Sequence, residues 1–327
     1  MENFSGADRL IAAVDFLESG SCSRKSLAEK LGISKSSAGK TAGVLVSLGI
    51  AGEYLKKNDT PGRRTGILKL RSDPVFAALC ITHEKISTSF YGYSLEICSY
   101  ETAPIYDHLF IDDIFTSYFG RLAQRTPSLR GVCLVCSGNV ENGAFRGSGI
   151  LGLDGLPLKN MAEEMLPSVT ITLENRDSWE PETSSGVTAV IREECGYVFT
   201  AIIHDGIPVH GRRGLAGNAG EITGTSGRSF SSRIKYARGS DEYAVAIAEL
   251  FSIIIRLTDP HRIIFYSERY GSADEILRSV REKLLINHGF YYSDLPILIA
   301  RHHEEPAPAA LRRNFRNNCI LRLLSEK

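Results

Sequence analysis

Residues 23–49 read SRKSLAEKLGISKSSAGKTAGVLVSLG. Ser23 stands where a side-chain oxygen can cap a short helix, Leu27 and Leu31 fall on its inner face, and Gly32 can close it in the left-handed region. Ser34 then caps a second helix whose Ala38, Ala42, Leu45 and Leu48 recur at helical spacing. Lys35, Ser36, Ser37, Lys40 and Thr41 lie on the other face, toward its N-terminal end. A short helix, a Gly-containing turn and a second helix that opens on small polar and basic residues make a helix-turn-helix, whose second helix enters the major groove of DNA. A three-helix bundle with a merely wet polar face shares this pattern, so the flanks matter.

On the N-terminal side, residues 8–18 place Leu10, Val14 and Leu17 on one helical face. On the C-terminal side, residues 50–69 hold two strand candidates, Ala51–Leu55 and Gly66–Leu70, around a basic tip marked by Gly and Pro. That is a wing, and its Pro61-Gly-Arg-Arg suits the narrow, electronegative minor groove of A·T-rich DNA through Arg63 and Arg64. The DNA-contacting set is therefore expected to be Ser34, Lys35, Ser36, Ser37, Lys40, Thr41, Arg63 and Arg64. Charge agrees with this reading. The 327 residues carry 38 Lys+Arg and 38 Asp+Glu, but residues 1–71 hold 12 against 7, leaving 26 against 31 beyond. A basic head is joined to an acidic body, although a solvated basic face would also account for the excess.

The remaining composition narrows the class. With 43% hydrophobic and 23% charged residues the chain is a globular protein of two or three domains. No apolar run reaches the ~18–20 residues of a membrane span, and the first ten residues lack a signal peptide's basic start, so a cytoplasmic location is expected. Seven cysteines, an odd number, sit mostly in strand-like apolar runs as reduced thiols. The Cys133-x-x-Cys136 pair lies on one such run with no second pair to complete four ligands, and is read as core; His302-His303, without a partner cluster, is read as a surface pair.

From residue 72 onward strands and helices alternate. Strands are expected at 76–81, 86–93, 95–102, 131–136, 169–173, 197–203, 263–266 and 297–300, and helices near 109–124, 241–258, 273–287 and 307–324. A β-β-β-α-β opening followed by a similar mixed unit is the layout of the two-lobed actin-like, ribonuclease H-like sugar-kinase fold, with a cleft between the lobes. The expected class is thus α/β, with a winged helix-turn-helix over 1–71 and a two-lobed body over 72–327. Its first lobe would take 72–168 plus 306–327, and its second 169–305.

Within the body, Gly214-Leu-Ala-Gly-Asn-Ala-Gly-Glu-Ile-Thr-Gly224 resembles the G-x-x-G-x-A-G-E-I-G-H signature of the ROK family (repressors, open reading frames and kinases). GRRTGILKL after the wing, ILGLDGLPL at 150–158, Ile171-Thr-Leu-Glu-Asn and Leu257-Thr-Asp-Pro-His-Arg-Ile-Ile resemble further ROK segments in the same order. The resemblance implies a cleft that takes a sugar, with Asn175 and Glu221 matching sugar-contacting positions. Two positions depart from it: Ile150 replaces the loop asparagine, and Arg176 replaces the aspartate base.

The departures argue against a kinase. The D-x-G-x-T phosphate turn is Ile81-Thr-His-Glu-Lys here, and Ile202-Ile-His-Asp-Gly is taken as standing in place of the second phosphate loop. Arg176 stays protonated and cannot act as a base, leaving only the neighbouring Asp177 to substitute. The zinc that ROK proteins commonly carry lacks its histidine at Gly224 and lacks the following cysteines. The expectation is a DNA-binding transcriptional regulator, a repressor without enzymatic activity, cofactor or metal. Its partners would be double-stranded DNA and a sugar or sugar-derivative effector held by Asn175, Arg176 and Glu221, and it would act as a homodimer or homotetramer. Arg176, pointing inward, would favour a phosphate, carboxylate or sulfate on that ligand. Three alternatives stay open: Arg176 and Glu221 neutralising each other in an empty cleft, a carbohydrate kinase with a vestigial head, and a DNA-binding protein without a small ligand.

Overall fold

A computed structural model describes residues 6–55, 66–106, 110–125, 128–176, 185–194, 196–209, 211, 218–224, 226–267, 273–288, 295–300 and 309–325. The chain opens with α1 (Gly6–Glu18), β1 (Cys22–Ser23), α2 (Arg24–Leu31), α3 (Lys35–Ser47), β2 (Ala51–Leu55) and β3 (Gly66–Leu70). The three strands form an antiparallel sheet in the order β1-β3-β2. Leu10, Val14, Leu17, Leu27, Ala42, Leu45 and Leu68 fill the space between helices and sheet. The capping chemistry is as the sequence demands. Ser23 accepts from the Ser26 amide at 3.1 Å, and Gly32 ends α2 at φ 62°, ψ 32°.

The next unit comprises β4 (Phe76–Ile81), β5 (Lys85–Tyr91), β6 (Ile97–Pro104), α4 (Ile111–Arg125), β7 (Gly131–Cys136), the small hairpin β8 (Asn139–Glu141) and β9 (Ala144–Arg146), α5 (Leu158–Met165) and β10 (Thr170–Asn175). Its sheet runs β10-β7-β4-β5-β6, with β4 parallel to β7 and antiparallel to β5. After it come β11 (Val187–Glu194), β12 (Tyr197–His204), β13 (Ile207–Pro208), α6 (Phe230–Lys235), α7 (Ser240–Thr258), β14 (Arg262–Tyr266), α8 (Ala273–His288), β15 (Ile297–Ala300) and α9 (Ala309–Ser325). The second sheet, β13-β12-β11-β14-β15, repeats the strand order and the parallel and antiparallel pairings of the first. The body is one topology used twice.

Both central strands of the first sheet are buried on both faces, which explains their unbroken apolar runs. Ala77, Leu79, Val132, Leu134 and Cys136 face α4 and α5, while Phe76, Ala78, Cys133 and Val135 face α9 and the head. Cys133 and Cys136 therefore point to opposite sides of the sheet and cannot share a ligand. Three expectations change. Thr170–Asn175 pairs with β7 over its whole length, so this strand belongs to the first lobe and not the second. The third strand begins at Ile97 because Leu95 takes a positive φ of 65° in the preceding turn. Finally, β11, the central strand of the second sheet, has no counterpart among the expected strands, since its Arg192-Glu193-Glu194 end reads as surface.

Candidate functional site

Two places stand out: one face of the head and the crevice between the lobes. In the head, Ser34 caps α3 by accepting from the Ser37 amide at 3.1 Å and donates its own hydroxyl to Ser37 Oγ at 3.0 Å. Lys35, Ser36 and Lys40 are exposed and Ser37 is half-buried. No acidic residue occupies the first turn of α3, so the positive end of the helix dipole adds to the Lys35 charge. Gly39 and Gly43 lie farther along, with open space where a side chain would stand. Thr41 departs from the expected outer face. It is buried, and its hydroxyl is committed to the Ser37 carbonyl at 3.0 Å, so it supports the helix from inside and offers nothing to a groove. Arg63 and Arg64 lie outside the described residues.

The crevice is narrow, and is lined from the first lobe by Ile81, His83, Cys136, Ser137, Ser148, Gly149 and Ile150, and from the second by Glu194, Tyr197 and Phe199. These come from the C-terminal ends of β4 and β7, the loop after β9 and the β11–β12 turn. The loop is held by Asp154, whose carboxylate accepts from the Gly147 and Ser148 amides at 2.8 and 2.9 Å. Ser137 Oγ is buried at the base of the crevice and has no hydrogen-bond partner among the described residues.

Two contacts close the crevice. The Tyr197 ring packs on the backbone of Gly149 so tightly that a Cβ there would lie 2.7 Å from Tyr197 Cδ2. Arg176, at the end of β10, pairs across the gap with Glu194 at 3.3 Å, with both side chains largely buried. Lys235 sits 5.1 Å from the Tyr197 ring centre and steadies it from the second lobe.

Asn175 aligns with crevice-lining Cys136 in the β10–β7 register, so it and Arg176 both stand at the crevice edge. Glu221 does not join them; it is solvent-exposed in the turn after Gly220, whose Cα packs against the Val198 carbonyl. The charge that meets Arg176 is Glu194, not Glu221. Glu194, Tyr197 and Ser137 went unread in the sequence. The available signal was Gly196, a turn glycine at φ 78° between two β-compatible runs.

The β4–β5 turn closes on itself, with the Thr82 amide donating to the Lys85 carbonyl at 3.0 Å and the Lys85 amide to Thr82 Oγ1 at 3.2 Å. The expectation for Ile202–Gly206 also changes: His204 pairs with Val187, at the end of the sheet away from the crevice. The turn that does face the crevice carries Glu193 and Glu194 in succession. Glu193 is buried and accepts from the Tyr243 and Ser267 hydroxyls at 2.7 and 2.8 Å, so its side chain turns toward α7, while Glu194 is the one that lines the crevice. Asp177, Cys195, His302 and His303 lie outside the described residues.

Nor does a metal fit at Gly224. A Cβ on that glycine would lie 2.5 Å from Arg233 Nη1, and Arg233 is paired with Glu249 at 2.7 Å. A guanidinium already fills the position that the resemblance assigns to a zinc ligand. Among the described residues no three His, Cys, Asp or Glu side chains are grouped as a metal would need. No described helix is long and apolar enough to cross a membrane.

No protein-family model matches the chain, and no curated protein sequence matches it. Solved structures do. A ROK family transcriptional regulator, a homologue of the E. coli MLC protein, aligns over 97% of this chain and 98% of its own, with a TM-score of 0.68 and 13% identity. The fold is that of the ROK proteins. The ROK hexokinase of Thermus thermophilus covers 76% of this chain and 99% of its own at TM-score 0.54 and 13% identity. A ROK family protein of Streptococcus pneumoniae, solved in complex with sucrose, covers 77% and 98% at TM-score 0.52 and 16% identity. The ROK fold thus accounts for both body lobes of this chain, and the regulator's version accounts for nearly its full length.

Proposed function

We propose that this protein is a DNA-binding transcriptional regulator of the ROK family, a repressor built from a winged helix-turn-helix head and a catalytically inactive effector-binding body. One observation carries the reading. The structural match that spans nearly the whole chain is to a regulator, whereas the hexokinase accounts for about three quarters of it. The unmatched part is about the size of residues 1–71. In this reading α3 enters the major groove with Lys35, Ser36, Ser37 and Lys40, and Arg63 and Arg64 enter the minor groove. A dimer or tetramer would present paired heads to two half-sites.

The effector reading rests on the interlobe crevice. Asn175 and Arg176 at its edge and Ser137 at its base supply donors and acceptors for hydroxyls, as a sugar or an acidic sugar derivative requires. A ligand that prefers one lobe arrangement shifts the population of that arrangement. The kinase alternative is favoured by the hexokinase likeness and opposed by the residue types at the β4–β5 turn, where Ile81-Thr-His-Glu-Lys stands in place of D-x-G-x-T.

The deciding experiment is selection of genomic fragments by the purified protein at physiological salt, followed by sequencing. Enrichment of a two-fold symmetric site supports the regulator. Retention no better than non-specific binding, together with ATP-dependent phosphorylation of a hexose or amino sugar, overturns it in favour of the kinase.

A further inference from the structure

The head meets the body through a shared core rather than a hinge. Its Leu10, Val14, Leu45 and Leu68 belong to the same buried cluster as Phe76, Tyr91, Tyr93, Cys133, Phe315 and Cys319 of the body. The connection is also short, since β3 ends at Leu70 and β4 begins at Phe76. The Arg71 amide donates to the Ile50 carbonyl and the Tyr93 amide to the Arg71 carbonyl, stitching head, connection and first lobe together.

At the edge of this core lies Arg316 of α9, whose side chain has no solvent exposure. Its guanidinium reaches two carboxylates of α1, Asp15 and Glu18, the latter at 3.1 Å, and donates to the Tyr93 carbonyl at 3.1 Å. Glu18 is also held in a two-pronged pair by Arg313 at 3.1 and 2.6 Å. Its Nε donates to Asn317 Oδ1 at 3.0 Å on its own helix, and a buried guanidinium with four directional partners, three of them on other elements, tolerates few relative orientations of the elements it joins.

The other side of α9 rests on the first sheet. Gly131, the first residue of β7, has no side chain because Phe315 and Cys319 occupy its place. Phe315 also packs on Phe76, the first residue of β4, with ring centres 5.9 Å apart. The opposite ends of those two strands, Ile81 and Cys136, line the interlobe crevice. Two rigid strands, each about 17 Å long at about 3.3 Å per residue, thus span from the α9 contact to the crevice.

We infer that Arg316 is a positioning residue for the head: it locks α1 to α9 so that the head turns with the first lobe as one rigid body. A change of angle between the lobes then moves the head by the same rotation. That consequence for DNA rests on the function proposed above, whereas the lock itself does not.

The test measures the lock without DNA. Spin labels on Ser47→Cys, exposed at the far end of α3 and outside the proposed DNA-contacting set, and Glu163→Cys in α5, in a full-length chain with Cys98→Ser and Cys195→Ser, report the head-to-lobe distance. The unmodified lock gives one narrow distance. The triple variant Asp15→Asn, Glu18→Gln, Arg316→Met removes the Arg316 charge together with both carboxylates it meets; Arg313 loses its Glu18 partner but is half-exposed, so no unpaired charge is left buried. Its distance distribution is expected to broaden or split while the thermal unfolding of the body is retained. A folded triple variant with an unchanged narrow distance overturns the inference. If the triple variant does not fold, Asp15→Asn with Arg313→Gln, which loosens the lock from its exposed side, is judged by the same criterion. Loss of DNA binding with a broadened distance and loss with a narrow one separate failure of the lock from failure of the DNA reading.

Discussion

Gly147 and Gly149 provide a matched pair for measuring crevice closure. Both take positive φ, 63° and 74°. A Cβ on Gly147 would meet nothing within 4 Å, while one on Gly149 would strike the Tyr197 ring at 2.7 to 3.0 Å. Gly147→Ala therefore carries only the cost of an L-residue in the left-handed region, about 1–2 kcal/mol. Gly149→Ala carries the same cost plus displacement of a packed ring from the opposite lobe, about 1–3 kcal/mol more. The expected losses of unfolding free energy in urea are thus about 1–2 and about 2–5 kcal/mol. In a Tyr197→Ala background the ring is gone and the two alanine substitutions should cost the same. Small-angle scattering should show a more open body for Gly149→Ala but not for Gly147→Ala. Equal costs for both substitutions in the unmodified chain would refute the claim that Tyr197 against Gly149 closes the crevice.

Three further outcomes are expected. Glu194→Gln leaves Arg176 facing a neutral amide across the gap, so the body should open in scattering while its helix content is unchanged; an unaltered profile would remove the ion pair from the closure. Lys35→Ala with Lys40→Ala should weaken binding to duplex DNA and make the log–log salt slope shallower by up to ~2 units, as counterion release predicts for two lost phosphate contacts; Thr41→Ser, being buried, should leave that slope alone. Glu18 is held below its ordinary value near 4.5: burial acts upward, but the Arg313 hydrogen bond and the Arg316 and Arg313 charges outweigh it. A carboxyl depressed on folding stabilises above its unfolded value, and that contribution is lost as the pH falls through the folded one. Head-to-body attachment should accordingly weaken below about pH 4.5, and Glu18→Gln should flatten that dependence.

The head was legible because its signals are local. Ser23, Gly32 and Ser34 act on backbone groups within a few residues, and the leucine spacing is a property of the helix itself, so sequence alone placed α2, the turn and α3. The buried strands β4 and β7 were equally plain, since a strand covered on both faces must be apolar throughout. Thr41 was misplaced because a threonine on a helix can bond back to the carbonyl four residues earlier, and only packing decides whether it faces in or out. The β11 strand was hidden for the converse reason. Its Arg192 lies 4.1 Å from the Tyr266 ring centre and its Glu193 is met by Tyr243 and Ser267, partners up to 74 residues away that turn an apparently exposed, charged segment into the centre of a sheet.

The sequence by itself determined the two-part plan, the basic head and the departure of the β4–β5 turn from a D-x-G-x-T pattern, all of which depend on residue types at fixed local spacing. Tertiary structure alone decided that Arg176 meets Glu194, that Tyr197 closes on Gly149, and that Arg316 ties the last helix to the first. Each of these joins segments whose separation along the chain carries no record of their distance in space. Their energetics depend on burial, which a charge or a ring acquires only when the rest of the fold closes around it.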